Sequence, residues 1–138
     1  MTTSHHQLRI ETTKHVETID ITDRVADALE RSGIREGICL IAVPHTTAGV
    51  FVNENADPAV QRDLLALLTR LVPDEGDYRH AEGNAPGHIK AALVGTDVSL
   101  AIRDGRLALG QWQGVYLAEF DGPRRRHAIV TVVGERAG

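Results

Sequence analysis

The stretch GICLIAVPHTTAGVFVNENADP, from Gly37 to Pro58, decides how the chain is read. Gly37–Val43 is apolar without a break, the pattern of a strand covered on both faces. Pro44 ends that strand, because proline cannot donate to a sheet ladder. His45 therefore lands just past a buried strand and opens the polar pair Thr46–Thr47. Ala48–Asn53 begins a second strand, with Val50 and Val52 opposing Phe51. Asp57 and Pro58 then mark a helix start, a carboxylate at the N-cap followed by proline at the first helical position.

The flanking segments follow the same grammar. Val60, Leu64, Leu67, Leu68 and Leu71 continue the second helix as one apolar stripe, and Pro73 marks its exit. On the N-terminal side, Leu8–Thr13 and Val16–Ile21 read as strands. Thr22 is placed to cap a helix over Asp23–Arg31 that stops at Gly33. Pro73–Asn84 is polar and reads as a loop, after which Asn84 caps a short helix containing His88, Ile89, Ala92 and Leu93. Val98–Arg103, Gln111–Phe120 and His127–Val133 are strands, and Asp104–Gly105 is a hairpin turn. Strands joined partly by hairpins predict an α+β fold with a mainly antiparallel sheet system, three helices and one domain spanning 1–138. Residues 1–6 are expected to be disordered, which leaves His5 and His6 in a fraying terminus.

Composition excludes several classes of function. The 138 residues carry a net charge of −4, which argues against a basic face for nucleic acid. Arg124–Arg125–Arg126 is the one basic cluster, enough for one phosphorylated small molecule. Cys39 sits alone in an apolar run, so it reads as a buried hydrophobe and fits a reducing compartment. No signal-like or membrane-spanning stretch is present in the sequence, and a cytoplasmic location is expected.

No short catalytic signature occurs, so any site is assembled from separated segments. Neutral imidazole is a common ligand for zinc and related metals. Among the seven histidines, His45, His80 and His88 stand out by context: a strand end, an acidic loop and a helix first turn. Their spacing is irregular and leaves two readings open, a metal site or separate hydrogen-bonded histidines. His127, after the arginine cluster, is a weaker pocket candidate. Glu54 is the acid that turn and cap chemistry leaves unexplained, and it is a candidate ligand, orienting partner or general base. An anion finds donors at the helix opening near Asn84 and at Thr46, Thr47 and Gly49, with Arg124 and Arg125 as a fork.

Taken together, His45–Thr46–Thr47–Ala48, Asn53–Glu54–Asn55–Ala56–Asp57–Pro58, Tyr78–Arg79–His80, Gly87–His88–Ile89–Lys90, Gly95–Thr96, Gly105 and Gly110–Gln111–Trp112–Gln113–Gly114 resemble the YjbQ-like family, sometimes labelled secondary thiamine-phosphate synthase. The resemblance covers about residues 7 to 134, with Gln111 standing where the family has threonine. It implies sandwiched sheets, a homotrimer, and a metal site of clustered histidines that maps onto His45, His80 and His88. The implied metal is a divalent ion, zinc by ligand type, or magnesium with a diphosphate substrate. The implied activity joins a pyrimidine diphosphate to a thiazole phosphate and releases pyrophosphate. Glu54 and His45 would then be the catalytic candidates. Thr46, Thr47, Asn84, Trp112, Gln113, Arg124 and Arg125 would bind substrate, Trp112 by stacking on a heteroaromatic ring. Two alternatives use the same residues: a metal- or metabolite-binding protein without turnover, and a metal-dependent hydrolase of a small phosphorylated substrate.

Overall fold

The computed structural model describes residues 1–137. Gly138, the last residue of the expected domain, lies outside the described residues. The elements in chain order are β1 (Thr2–Glu11), β2 (Glu17–Asp20), α1 (Thr22–Ser32), β3 (Ile34–Ala42), β4 (Ala48–Glu54), α2 (Pro58–Leu71), α3 (Ala85–Val94), β5 (Asp97–Arg103), β6 (Arg106–Leu107), β7 (Gln113–Glu119) and β8 (Arg125–Arg136). They form a five-stranded sheet of order β1-β8-β3-β5-β6 and a three-stranded sheet of order β2-β7-β4. Every strand pairing is antiparallel.

Alternation along the strands generates the layers. Cys39 and Ile41 of β3, Ala128, Val130 and Val132 of β8, Val50 of β4 and Val115 and Leu117 of β7 meet between the sheets, with Val25, Ala28 and Leu29 of α1. The opposite face of the small sheet is covered by the helices that follow it. Phe51, Ala118 and Phe120 pack there against Leu64, Leu65 and Leu68 of α2 and Ala91 and Val94 of α3. Burial also raises the Cys39 thiol to about 11, so it is an inert core group.

The turn chemistry follows the sequence in several places. Asp57 accepts from the Ala59 amide at 2.9 Å and Pro58 opens α2. Gly33 closes α1 at φ 73°. Asp104 and Gly105 both have positive φ, 51° and 76°, as a tight hairpin matching the twist of its strands requires.

Four expectations are revised. The first six residues are ordered as far as Thr2–His6, which pair with Val130–Gly134, because an edge strand gains a full ladder there. β3 is covered on one face, not two: Ile41 is fully buried whereas Ile38 is 55% exposed. Thr22 and Asn84 do not cap their helices with their side chains. Thr22 Oγ1 instead donates to Asp20 and accepts from the Val115 amide at 2.8 Å, tying α1 to β7.

Ile41→Ala should lower the unfolding free energy by about 2–5 kcal/mol, the cost of a large-to-small change in a packed interior. Urea denaturation measures it. A loss below about 1 kcal/mol would mean that the space between the sheets collapses around the deletion.

Candidate functional site

At one end of the sandwich the inward alternation brings two opposite charges together. Glu119 is the last residue of β7, in phase with Val115 and Leu117. Arg126 is near the start of β8, in phase with Ala128 and Val130. Glu119 is fully buried and Arg126 is 4% exposed. Their carboxylate and guanidinium meet in a two-pronged contact, Nε to Oε1 at 2.8 Å and Nη2 to Oε2. Thr12 Oγ1 donates to the same carboxylate at 2.7 Å and the Asp121 amide at 3.0 Å. Burial by itself would raise the Glu119 pKa, but the hydrogen bonds from Arg126, Asp121 and Thr12 and the Arg126 charge outweigh it and hold the pKa below the usual range.

Arg126 Nη2 also donates to Thr47 Oγ1 at 2.8 Å. Thr47 is fixed a second time by its carbonyl, which accepts from the Phe120 amide at 3.1 Å. Just before it, β3 separates from β8 after the Ala42–Ile129 pair. The His127 amide, left without a strand partner on that side, donates to His45 Nε2 at 2.9 Å. The imidazole replaces the missing strand, and its ring lies stacked on that of His127 with centroids 6.1 Å apart. Burial first, then the Arg126 and His127 charges, lowers the His45 pKa against the opposing pull of Glu119, so the ring is neutral near pH 7.

α3 supplies the facing wall. Gly87 lets it approach, since a Cβ there would lie 2.9 Å from the Phe120 carbonyl. That approach sets His88 beside His80 of the preceding loop, rings edge to face at 4.8 Å. Asn84 Nδ2 donates to Asp121 Oδ2 at 2.8 Å, and Arg124 Nη2 meets the same oxygen at 2.9 Å. Those two hydrogen bonds, together with the Arg124 charge, overcome the burial that would raise the Asp121 pKa and keep it low.

These segments enclose a cavity of about 400 Å³ lined by Pro44, His45, Thr46, Thr47, His80, Glu82, Asn84, His88, Arg124 and Arg126. Two arginines and three histidines face one carboxylate, Glu82. A larger cleft of about 580 Å³ lies between α1 and the β5–β6 hairpin, but its lining holds no histidine, and Arg35 and Arg106 share it with Glu30 and Asp104. The chemistry concentrates in the smaller cavity.

Seven of the sequence candidates therefore converge: His45, Thr46, Thr47, His80, Asn84, His88 and Arg124. Glu54, Trp112 and Gln113 come together elsewhere, at the far end of β4, where Glu54 pairs with Gln113 and the Asn55 amide reaches the Trp112 carbonyl. At about 3.3 Å per residue, that end lies roughly 20 Å from Thr47. Arg125 points outward and meets Glu11 at 3.5 Å. Sequence reasoning missed Arg126 as the inward member of its cluster, Glu119 beneath it, and the His127 amide. The first two were detectable as charges in phase with core residues.

The donor types suit a divalent metal only in part. His80 and His88 are adjacent imidazoles on the cavity wall, but His45 already spends Nε2 on the His127 amide. Among the described residues no three His, Cys, Asp or Glu side chains are grouped to hold a metal ion. The three-histidine cage does not fit this arrangement.

The family comparison agrees with the fold. The family described as UPF0047 protein YjbQ-like matches residues 6–135, and the chain belongs to this family. A UPF0047 protein of Methanocaldococcus jannaschii is 46% identical, covering 93% of both chains. YugU of Bacillus subtilis is 47% identical over 92% of this chain and 97% of its own. Among solved structures, a YjbQ/UPF0047 protein of Clostridium acetobutylicum superposes with a TM-score of 0.91 at 45% identity, covering 93% of this chain and 99% of that one. A protein of unknown function from Sulfolobus solfataricus gives 0.94 at 34% identity, covering 97% and 99%.

Glu119→Gln should cost about 3 kcal/mol at neutral pH, because it leaves the buried Arg126 charge without its counter-charge. The native Glu119 pKa lies below its unfolded value of about 4.3, so its contribution is full above that value and is lost as pH falls through the native one. Urea unfolding at a series of pH values from 7 to 3 should show an acid-side decline that shrinks in the variant. An identical decline in both proteins would remove Glu119 as its source.

Proposed function

We propose that this cavity binds a small phosphorylated substrate and that the protein is a transferase of the thiamine-phosphate synthase type. The observation that carries the reading is the wall itself: Arg124, Arg126 and three histidines around 400 Å³, with the neighbouring acids Glu119 and Asp121 already occupied by internal partners. Such a wall offers hydrogen-bond donors to an anion.

In the proposed reaction the bond between the pyrimidine methylene carbon and the diphosphate oxygen breaks, and its electron pair leaves on the diphosphate. The lone pair of the thiazole nitrogen forms the new C–N bond. That nitrogen carries no proton, so this step needs no base to remove one. What it needs is stabilisation of negative charge developing on the leaving oxygen, which Arg124 and Arg126 are placed to provide. The distance of Glu54 from the cavity is therefore no obstacle to this reading.

A divalent ion, zinc or magnesium, is part of the proposal as counter-ion of the diphosphate, with His80 and His88 the imidazoles that remain open to it. Substrate stacking by Trp112 has no support within one chain. A homotrimer is also proposed. The outward face of the five-stranded sheet carries Ile38, 55% exposed, and Ile129, 36% exposed, and subunit contact would bury both.

The direct test supplies pyrimidine diphosphate, thiazole phosphate and magnesium or zinc, and follows thiamine phosphate and pyrophosphate. Both products should appear, with kcat reduced at least about a hundredfold by Arg124→Ala. Absence of product from a protein that still binds pyrophosphate would favour the binding protein without turnover. Release of inorganic phosphate from either precursor alone would favour the hydrolase.

Light scattering tests the assembly. The expected mass is three chains, falling to one in Ile38→Asp. A wild-type monomer would remove the trimer from the proposal.

A further inference from the structure

We infer that His45 serves the cavity as a fixed hydrogen-bond donor through Nδ1–H and, with Nη1 of Arg126, forms a seat for a phosphoryl anion that does not depend on a metal. The inference rests on the reading of the cavity as an anion site, but not on the transfer reaction proposed for it.

The first step is a proton count on one ring. A neutral imidazole has one donor nitrogen and one acceptor nitrogen. His45 Nε2 lies 2.9 Å from the His127 backbone nitrogen, which always carries its hydrogen. Nε2 must therefore present its lone pair, and the ring proton is on Nδ1. A metal on Nδ1 would move that proton to Nε2, where it would face the His127 N–H donor to donor. A metal on Nε2 would displace the amide, which has lost its strand partner at the end of β3. Both routes to a ligand are closed, and the ring has a donor left over.

The second step follows the donors of Arg126. Nε and Nη2 are committed to Glu119 and Thr47, and among the described residues no hydrogen bond uses Nη1. Among the described residues the sealed side-chain atoms without a partner are Gln61 Oε1 and Asn84 Oδ1. Arg126 Nη1 and His45 Nδ1 likewise have no partner among the described residues, are not among those sealed atoms, and belong to residues that line the cavity. One is held by a buried carboxylate and the other by a backbone amide, so neither reorganises to meet a ligand. Rigid donors around a desolvated floor are what a tetrahedral oxyanion group recognises.

Two readouts test the idea on the whole chain. Long-range ¹H–¹⁵N spectra of the wild type should show His45 protonated at Nδ1 and not at Nε2 near pH 7. Calorimetry with inorganic pyrophosphate in the presence of EDTA should show binding. Glutamine places its terminal group where Nε2 stood and asparagine where Nδ1 stood. His45→Gln should therefore weaken binding at least tenfold, and His45→Asn by clearly less. The reverse order would mean that the ring matters only as a cap for His127, and it would overturn the inference. Binding that appears only with added zinc and vanishes in both variants would overturn it in favour of a metal ligand. An Nε2-protonated ring in a protein that still binds pyrophosphate sinks the inference alone. A wild type that binds no pyrophosphate sinks the anion reading of the cavity with it.

Discussion

The contact between Glu119 and Arg126 joins the two sheets at the end where the cavity forms. Bringing both ions out of water costs several kcal/mol apiece, and mutual attraction offsets this only when the remaining lone pairs and protons are satisfied. Glu119 meets that condition through Thr12, the Asp121 amide and two nitrogens of Arg126. The same carboxylate therefore anchors the chain after β1, the chain after β7 and the start of β8. An apolar pair of similar volume would close the sandwich as well or better. Stability alone gives no reason for charges here, and what the pair leaves is an immobile guanidinium on the wall of the neighbouring cavity.

The other walls are consequences of how strands end. β3 stops pairing with β8 at Ala42, and Pro44 prevents the ladder from continuing. The orphaned amide of His127 then recruits His45, so a backbone deficit fixes the orientation of a side chain. On the opposite wall, the missing Cβ of Gly87 admits the first turn of α3 against the Phe120 carbonyl. His88 reaches the cavity because that turn is so close. Geometry at the site is thus held by main-chain accounting on one side and by steric permission on the other.

Period and punctuation carried most of the fold. The Asp57–Pro58 start of α2, the Asp104–Gly105 hairpin and the Gly33 stop are local signals with a single physical meaning, and each is realised. Whether β3 is covered on one face or two depends on where other segments lie, so its apolar run misled. Ordering of Thr2–His6 has the same origin, since polar residues pair at an edge when a long partner such as β8 extends past the core. At the site, His45, His80 and His88 were legible as a set by context. Which arginine of the 124–126 run faces inward follows from strand phase, and the donation of the His127 amide follows from no pattern in the sequence.

Net charge and local charge point in opposite directions in this molecule. The chain is acidic overall at −4, yet around the cavity the acids face inward or are already bonded. Glu119 is buried beneath Arg126, and Asp121 is tied to Asn84 and Arg124. What remains open to a ligand is guanidinium, hydroxyl and imidazole, with Glu82 the one carboxylate on the wall. Local fields of this kind are set by which groups are left unpaired, not by the sum over the surface. A cavity arranged in this way offers fixed donors to an anion, and His80, His88 and Glu82 add groups able to accept a proton.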